Sequence, residues 1–537
     1  SVGIMASQFH LADLFETVAA AVPDRIAIQS DAGDLTYAML DERTDRLAAA
    51  LSDRGIGAGD SIGLYLMNGP EYLEGFIAAS KLGAVPFNVN YRYGAEELRY
   101  LFTNAEAAVI IHNGEFAPLI EEIRPSLESL KLSVAVGETD ENSASEDYET
   151  LMKAPPVKGF ARHEDDYMLQ YTGGTTGMPK GVMWPHKAFF FACLGAGGHF
   201  HPAGPITKPD EIAGRAAEGY QLKMFTIAPL MHGAAIWAAW SGLLGGLTLV
   251  LDPMRSFDAE AIWDRVAKYK VNIVQIVGDA MARPLCDALD AHPERWDLAS
   301  VVNFGSGGAV FSKHLKEAIK AHLPNTGITD GMGTSEGGIS GMAEPSEDGM
   351  MRLPANDDQK VMMDDRFAEV GETGLLARAG NVPIGYFNDP VKTAEVFREM
   401  DGRIWTLSGD QGRLDDDGMI TLFGRGSTCI NTGGEKVFPE EVESELRAHP
   451  AVHDAVVVGL PDERWGEAVT ALVSLSKGAD ETDTGDIRAF LKTRLAGYKC
   501  PKQVFAVPDI RRSPAGKQDY AWARDVAEAK AKEDIFA

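Results

Sequence analysis

Residues 171–181 read YTGGTTGMPKG, with glycines at 173, 174, 177 and 181, threonines at 172, 175 and 176, and one lysine, Lys180. A turn this rich in glycine offers several backbone N–H groups to one concave spot. Threonine hydroxyls add donors, and a lysine adds a point charge, which together is the chemistry of polyphosphate binding. A plain Gly/Thr linker is the alternative, but the embedded Pro179-Lys180-Gly181, in a stretch that directly follows the strand-like DDYMLQ, favours phosphate. The stretch does not fit GxxxxGK[ST], because Lys180 is preceded by Pro179 and followed by Gly181. At Gly516-Lys517 the next residue is Gln518 and the upstream position holds Arg511, so P-loop kinases and ATPases drop out.

Other reactive side chains stand in short turns. Asp410 closes a Ser-Gly-Asp turn after an apolar run, Glu336 follows Gly333-Thr334-Ser335, and Lys517 ends Pro514-Ala515-Gly516. His232 sits between PLM and Gly233. Taken singly, each has a bland reading: a turn-capping aspartate, a solvated glutamate or lysine, a core histidine. No Ser-His-Asp or Cys-His pattern suggests a covalent intermediate.

The elements that must position these residues alternate between strand and helix. SIGLYLM (61–67) precedes the helical PEYLEGFIAASKLG, AAVIIH (107–112) precedes EFAPLIEEIRPSL, and VNIVQIVG (271–278) follows the helix AEAIWDRVAKY. This alternation predicts an α/β fold with doubly wound, mostly parallel sheets. The acidic stretch 137–150 reads as a solvated loop. After about residue 370 short strands with Gly and Asp turns predict a small antiparallel sheet or β-barrel-like subdomain, and after 429 a compact α+β unit follows. The expected division is 1–424, a hinge at 425–428, and a C-terminal mobile domain at 429–537.

With 537 residues, several domains are needed, and the hydrophobic share of 45% is that of a globular protein. Acidic residues number 79 against 50 basic, a net charge of −29, which repels nucleic acid and anionic membranes. The four cysteines, at 193, 286, 429 and 500, are far apart and fit neither a zinc site nor a disulfide framework, as expected of reduced cytosolic thiols. No signal peptide is visible, and a cytoplasmic location is expected. Met224–Leu251 contains no Asp, Glu, Lys or Arg and is long enough to span a bilayer. Pro229, His232 and its glycines divide it into strand, helix and strand, so a buried βαβ unit is expected and no membrane span.

The chain resembles the adenylate-forming superfamily of acyl-CoA synthetases, luciferases and peptide-synthetase adenylation domains. The likeness runs in order through YTGGTTGMPKG, APLMHG, GSGGA (305–309), DGMGTSEGG (330–338), LSGDQGRLDDDG (407–418), GRGSTCINTGGEKVFPEEVE (424–443) and RSPAGKQD (512–519). It departs at Met332, where an aromatic residue is common, at Ser335, where threonine is common, and at Ser427, where aspartate or lysine is more usual.

The resemblance implies binding of ATP, Mg²⁺ and coenzyme A, with a carboxylic acid as the other small-molecule substrate. It places Thr172, Gly173, Gly174, Thr175, Thr176 and Lys180 at the phosphates. Gly307, Gly308 and Ala309, with Asp330, Gly331, Met332, Gly333, Thr334 and Ser335, would form the adenine and acyl wall. Asp410 and Arg425 would hold the ribose, Glu336 the Mg²⁺, and Lys517 the α-phosphate and carboxylate. Gly433, Gly434 and Glu435 would line a pantetheine channel. His232 is either a core residue or a flank of the acyl pocket, whose further walls are expected at Trp237, Gly278, Phe304 and Gly305. The activity implied is that of an AMP-forming acyl-CoA synthetase acting on a bulky hydrophobic acid such as a fatty acid or steroid side-chain acid. Alternatives are a free-standing adenylation enzyme, a luciferase-like oxidase and an inactive nucleotide-binding protein. A homodimer is the default for a soluble enzyme.

Overall fold

The uncharged segment folds as strand Lys223–Thr226, helix Gly233–Leu244 and strand Thr248–Val250, and the two strands pair in parallel. The helix buries Ile236, Trp237, Trp240, Leu243 and Leu244 on nearly every side, which is why no charged face was needed. Gly246, at φ +74°, turns the chain out of the helix. The expected βαβ unit is therefore present. Among the described residues no helix is long and apolar enough to cross a membrane.

The computed structural model describes residues 6–172, 178–309, 311–342, 344–345, 350–425, 428–432, 435–480, 483–512 and 518–536. Within them the strands form four sheets. An eight-stranded sheet contains the βαβ unit and, in spatial order, strands Gly338–Met342, Gly327–Thr334, Asn303–Gly307, Ile273–Ile276, Lys223–Thr226, Thr248–Val250, Ile26–Ser30 and Gly33–Thr36. Its interior pairings are parallel and its two outermost pairings antiparallel. A seven-stranded sheet runs Glu146–Asp147, Leu132–Val136, Ala107–Asn113, Ser61–Tyr65, Val85–Asn88, Tyr167–Tyr171 and Gly181–Pro185, again parallel except for the last pair. Helices between successive strands cover these sheets, as parallel connections require.

Acidic residues 137–150 are only partly the expected solvated loop. Glu146–Asp147 adds an edge strand, and Tyr148 is buried with its hydroxyl donating to Glu74 at 2.9 Å. The later strands form the expected antiparallel sheet, in which Arg403–Leu414 and Met419–Arg425 make a hairpin. Sheet membership changes between Arg425 and Ile430. From there strands Ile430–Thr432, Glu435–Val437, Val452–Asp462, Gly466–Leu475 and Gln503–Ala506 form a separate small sheet. Helices Pro439–Arg447, Asp483–Lys492 and Tyr520–Phe536 pack with it. The first of these starts with proline, carries Glu440 and Glu441 in its first turn and ends on Arg447, an arrangement that suits the helix dipole.

Candidate functional site

The two large sheets meet at a cavity of about 740 Å³. On one side the hairpin Tyr167–Tyr171 and Gly181–Pro185 carries the glycine-rich turn, closed by the Thr172 N–H donating to the Lys180 carbonyl at 3.1 Å. Residues 173–177, including Gly173, Gly174, Thr175 and Thr176, lie outside the described residues. Thr172 is on the cavity wall. Lys180 is not, and its Nζ stands 3.2 Å from Asp389 Oδ2. The Lys392 amide, and then the Lys180 ammonium, hold the Asp389 carboxyl below its usual range.

On the other side, the C-terminal ends of strands Asn303–Gly307 and Gly327–Thr334 bring Gly307, Gly308, Ala309, Gly331, Met332, Gly333, Thr334, Ser335 and Glu336 to the same cavity. Crevices at the carboxyl ends of parallel strands are where ligands sit in such sheets. Asp330 is the exception in this run: its side chain is buried beneath the wall, 2.8 Å from Lys316 Nζ. Burial pushes its carboxyl up to about 6, with Lys316 opposing.

Glu336 is anchored by Tyr386, whose hydroxyl donates to Glu336 Oε1 at 3.0 Å. Residues 384–387 pair with strand Gly181–Pro185, through the Met183 N–H to the Gly385 carbonyl at 2.9 Å and the Phe387 N–H to the Gly181 carbonyl at 2.8 Å. One segment therefore delivers Tyr386 to Glu336 and Asp389 to Lys180. A wall carboxylate held by one hydrogen bond is the hard oxygen donor Mg²⁺ takes one or two of, so the site fits the ion. Glu16, Asp41 and Asp45 also cluster, but Lys81 Nζ lies 2.6 and 2.7 Å from the two aspartates and Lys158 Nζ 3.1 and 2.6 Å, so two lysines already offset their charge.

His232 lies on the wall at the start of helix Gly233–Leu244. The loop before it is clamped by two asparagines: Asn68 accepts from the Leu230 N–H at 2.7 Å and donates to the Ala228 carbonyl at 3.0 Å, and Asn88 donates to the Met231 carbonyl at 2.8 Å. Trp237, one turn on, donates to Gln170 Oε1 at 2.9 Å, and Gln170 donates to Ser335 Oγ at 3.3 Å. Trp184 donates to the Ser335 carbonyl at 2.8 Å. A Cβ on Gly233 would come 2.3 Å from Gln170 Nε2, so glycine is needed there for Gln170 to bridge the sheets.

Of the expected acyl walls, Trp237 lines the cavity, while Gly278, Phe304 and Gly305 do not. Alternation along the strand explains this: Phe304 faces the opposite side and packs on Trp263, and the space above Gly305 is filled by Gln275, which itself lines the cavity. The remaining wall is largely apolar, with Leu222, Met224, Ile273, Val277 and Met281.

Asp410 faces the cavity from its hairpin, and Arg425 is its cross-strand partner, although the Arg425 side chain lies outside the described residues. The small C-terminal domain contributes Glu440, Gln518 and Tyr520 to the wall. Lys517 itself, with Gly433 and Gly434, lies outside the described residues. Glu435 is exposed and away from the cavity.

This combination, two α/β sheets and a small domain closing on one glycine-walled cavity, matches known proteins. Residues 15–386 match the model of the AMP-binding enzyme family, and residues 441–517 that of the AMP-binding enzyme C-terminal domain. The chain belongs to the AMP-binding enzyme family. It is 38% identical, over 551 residues covering 99% of each chain, to a medium/long-chain-fatty-acid–CoA/3-oxocholest-4-en-26-oate–CoA ligase of Mycobacterium marinum. It is 39% identical to a 3-oxocholest-4-en-26-oate–CoA ligase of Rhodococcus rhodochrous, covering 98% of this chain and 97% of that one. Among solved structures, an anthranilate CoA ligase in complex with anthranoyl-AMP superposes with a TM-score of 0.84 at 23% identity, covering 97% of this chain and 98% of that one. For this AMP-binding enzyme, the cavity-wall glycines 307, 308, 331 and 333 lie within the stretches that carry the resemblance, whereas Gln170, Tyr386 and Asp389 lie outside them. Asp389 was legible only as the N-cap of helix Pro390–Val396, where it accepts from the Lys392 N–H at 3.0 Å.

Proposed function

We propose that the protein is an AMP-forming acyl-CoA synthetase acting on a hydrophobic carboxylic acid of the fatty-acid or steroid side-chain class. The observation that carries this reading is the single cavity shared by His232, Glu336 and Asp410 of the large domain and Gln518 and Tyr520 of the small one. The named activities of its relatives point the same way.

A carboxylate resists nucleophilic attack because it is an anion. In the proposed first step its oxygen attacks the α-phosphorus of ATP, the bond to the β-phosphate oxygen breaks, and pyrophosphate leaves. The resulting acyl-adenylate has AMP as its leaving group, and the thiol of CoA, losing its proton, displaces it. Asp410 binds the ribose hydroxyls, and Lys180 offsets phosphate charge once its contact with Asp389 is exchanged for the nucleotide. Glu336 would hold Mg²⁺, which when bound neutralises phosphate charge. Lys517 stabilises the charge gathering at the α-phosphate. The apolar lobe beside Trp237 and Met224 receives the acyl group, and His232 stands where nucleotide and acyl parts join. For the second step we assign the 433–435 loop to the thiol channel, reached when the small domain turns about residues 425–428.

The test is incubation with Mg-ATP, CoA and a pool of carboxylic acids, with Lys517→Ala alongside. AMP together with a CoA thioester of a fatty or steroid acid, abolished in the variant, is the expected result. AMP with adenylate and no thioester would instead identify an adenylation enzyme.

A further inference from the structure

A closed group of charged side chains lies where the small domain meets the large one. Arg447, at the end of helix Pro439–Arg447, is fully buried. Within its own domain its Nε donates to Asp454 Oδ1 at 3.2 Å, and its Nη2 donates to the Ala455 carbonyl at 3.0 Å and lies 3.9 Å from Glu443 Oε1. Across the boundary its Nε is 3.6 Å from Oδ2 of Asp279, in the first turn of helix Gly278–Ala291 of the large domain. Asp279 is 2% exposed and also accepts from the Ser312 N–H at 2.7 Å and from the Ser312 hydroxyl.

The same group holds both residues that border the 513–517 stretch. Arg512 donates to Asp454 at 2.8 and 3.0 Å, Gln518 donates to Glu443 Oε1 at 2.9 Å, and Arg512 and Gln518 form an antiparallel bridge with each other. Tyr520 donates to Glu443 at 3.0 Å. Gln518 and Tyr520 are cavity-wall residues. Three acids (Asp279, Glu443, Asp454) face Arg447 and Arg512, and Arg283, on the same helix as Asp279, interacts electrostatically with Asp454 and Asp279. A buried charge tolerates loss of its partner poorly.

We propose that Arg447 is a positioning residue for the adenylate-forming step. Through its ion pair with Asp279 it fastens the small domain in the orientation that presents Gln518 and Tyr520 to the cavity. The inference rests on the two-step reading above. When the small domain turns, Asp454, Glu443 and Ala455 travel with Arg447, whereas Asp279 stays behind with Ser312. The Asp279–Arg447 pair therefore favours this orientation specifically, and the intradomain contacts do not.

Arg447→Met empties a buried site and risks the fold of the small domain, so the deciding variant is Asp279→Asn, whose amide oxygen can still accept from Ser312. With decanoate or a steroid side-chain acid, ATP–pyrophosphate exchange is expected to fall roughly tenfold to a hundredfold, the effect of a misplaced reacting group. Thioester formation from supplied acyl-adenylate and CoA is expected to hold or rise. Equal losses in both half-reactions, or no loss in either, would overturn the proposal. Should the wild type exchange pyrophosphate with neither acid, the functional reading fails, and the latch is judged by distance alone. For that, spin labels at Glu294→Cys and Ala489→Cys, with Cys429→Ser, report the separation of the domains. A broadened distribution in Asp279→Asn supports the latch, and an unchanged one removes it.

Discussion

Gly424 and Glu440 meet across the domain boundary so closely that a Cβ on the glycine would lie 2.6 Å from the glutamate carboxyl carbon. Gly424 also has φ +92°, a region that favours glycine. Gly424→Ala therefore combines backbone strain with displacement of Glu440 from the cavity wall. It should lower unfolding free energy by about 1–3 kcal/mol and reduce pyrophosphate exchange. Denaturant unfolding and the exchange assay check both effects, and wild-type values in both would show the contact to be dispensable.

Glu336→Gln keeps an acceptor for the Tyr386 hydroxyl but removes the negative charge. Adenylate formation should drop by about a hundredfold and need a higher Mg²⁺ concentration for half-maximal rate. Tyr386→Phe loses only the anchor, so a loss of roughly tenfold is expected, with the charge still in place. A titration of rate against Mg²⁺ separates the two, and an unshifted Mg²⁺ dependence in Glu336→Gln would exclude Glu336 as the ligand.

A Cβ on Gly307 would make only ordinary contacts, 3.5 Å from the Gly331 carbonyl and 3.9 Å from Ala234 Cβ. Gly307→Val should fold normally and narrow the acyl lobe. We expect kcat/KM for decanoate and longer acids to fall about 10- to 200-fold while butyrate is spared. Parallel losses for short and long acids would place the acyl group elsewhere.

Asp330 gives the protein a distinct pH signature. Its folded-state pKa of about 6 lies above the ordinary 3.8, because burial outweighs the pull of Lys316. The folded chain thus keeps a proton that the unfolded chain releases, so this contribution to stability is present below about pH 4 and lost as pH rises through 6. Asp330→Asn cannot titrate. Relative to that variant the wild type should lose on the order of 2 kcal/mol between pH 4 and pH 7, measured by urea unfolding at each pH. A difference independent of pH would contradict the assignment.

Much of this was legible in the chain before any coordinates. Glycines at 307, 308, 331 and 333, Asp410 and Glu336 are picked out by the ordered run of resembling stretches, since each short turn alone has a bland reading, and all of them line the cavity. The alternation of apolar runs announced the parallel sheets. Tyr386 and Asp389 are not picked out, because they reach Glu336 and Lys180 only through the backbone pairing of 384–387 with strand Gly181–Pro185. Phe304 faces away from the cavity although a wall position is expected of it, because strand Asn303–Gly307, buried at its three central residues, shows little polar alternation to fix its sides. Asp279 and Arg447 look like ordinary helix-end charges until the fold brings them together.

The donors from Trp184 and Gln170 to Ser335 join the two large sheets at their inner margins, where strands Gly181–Pro185 and Gly338–Met342 end each sheet. The opposite margins, strands Gly33–Thr36 and Glu146–Asp147, touch none of the reacting groups. For protein engineering, the outer turn at 137–145 is therefore a natural point for inserting a reporter or tether, because it lies on the margin away from the cavity.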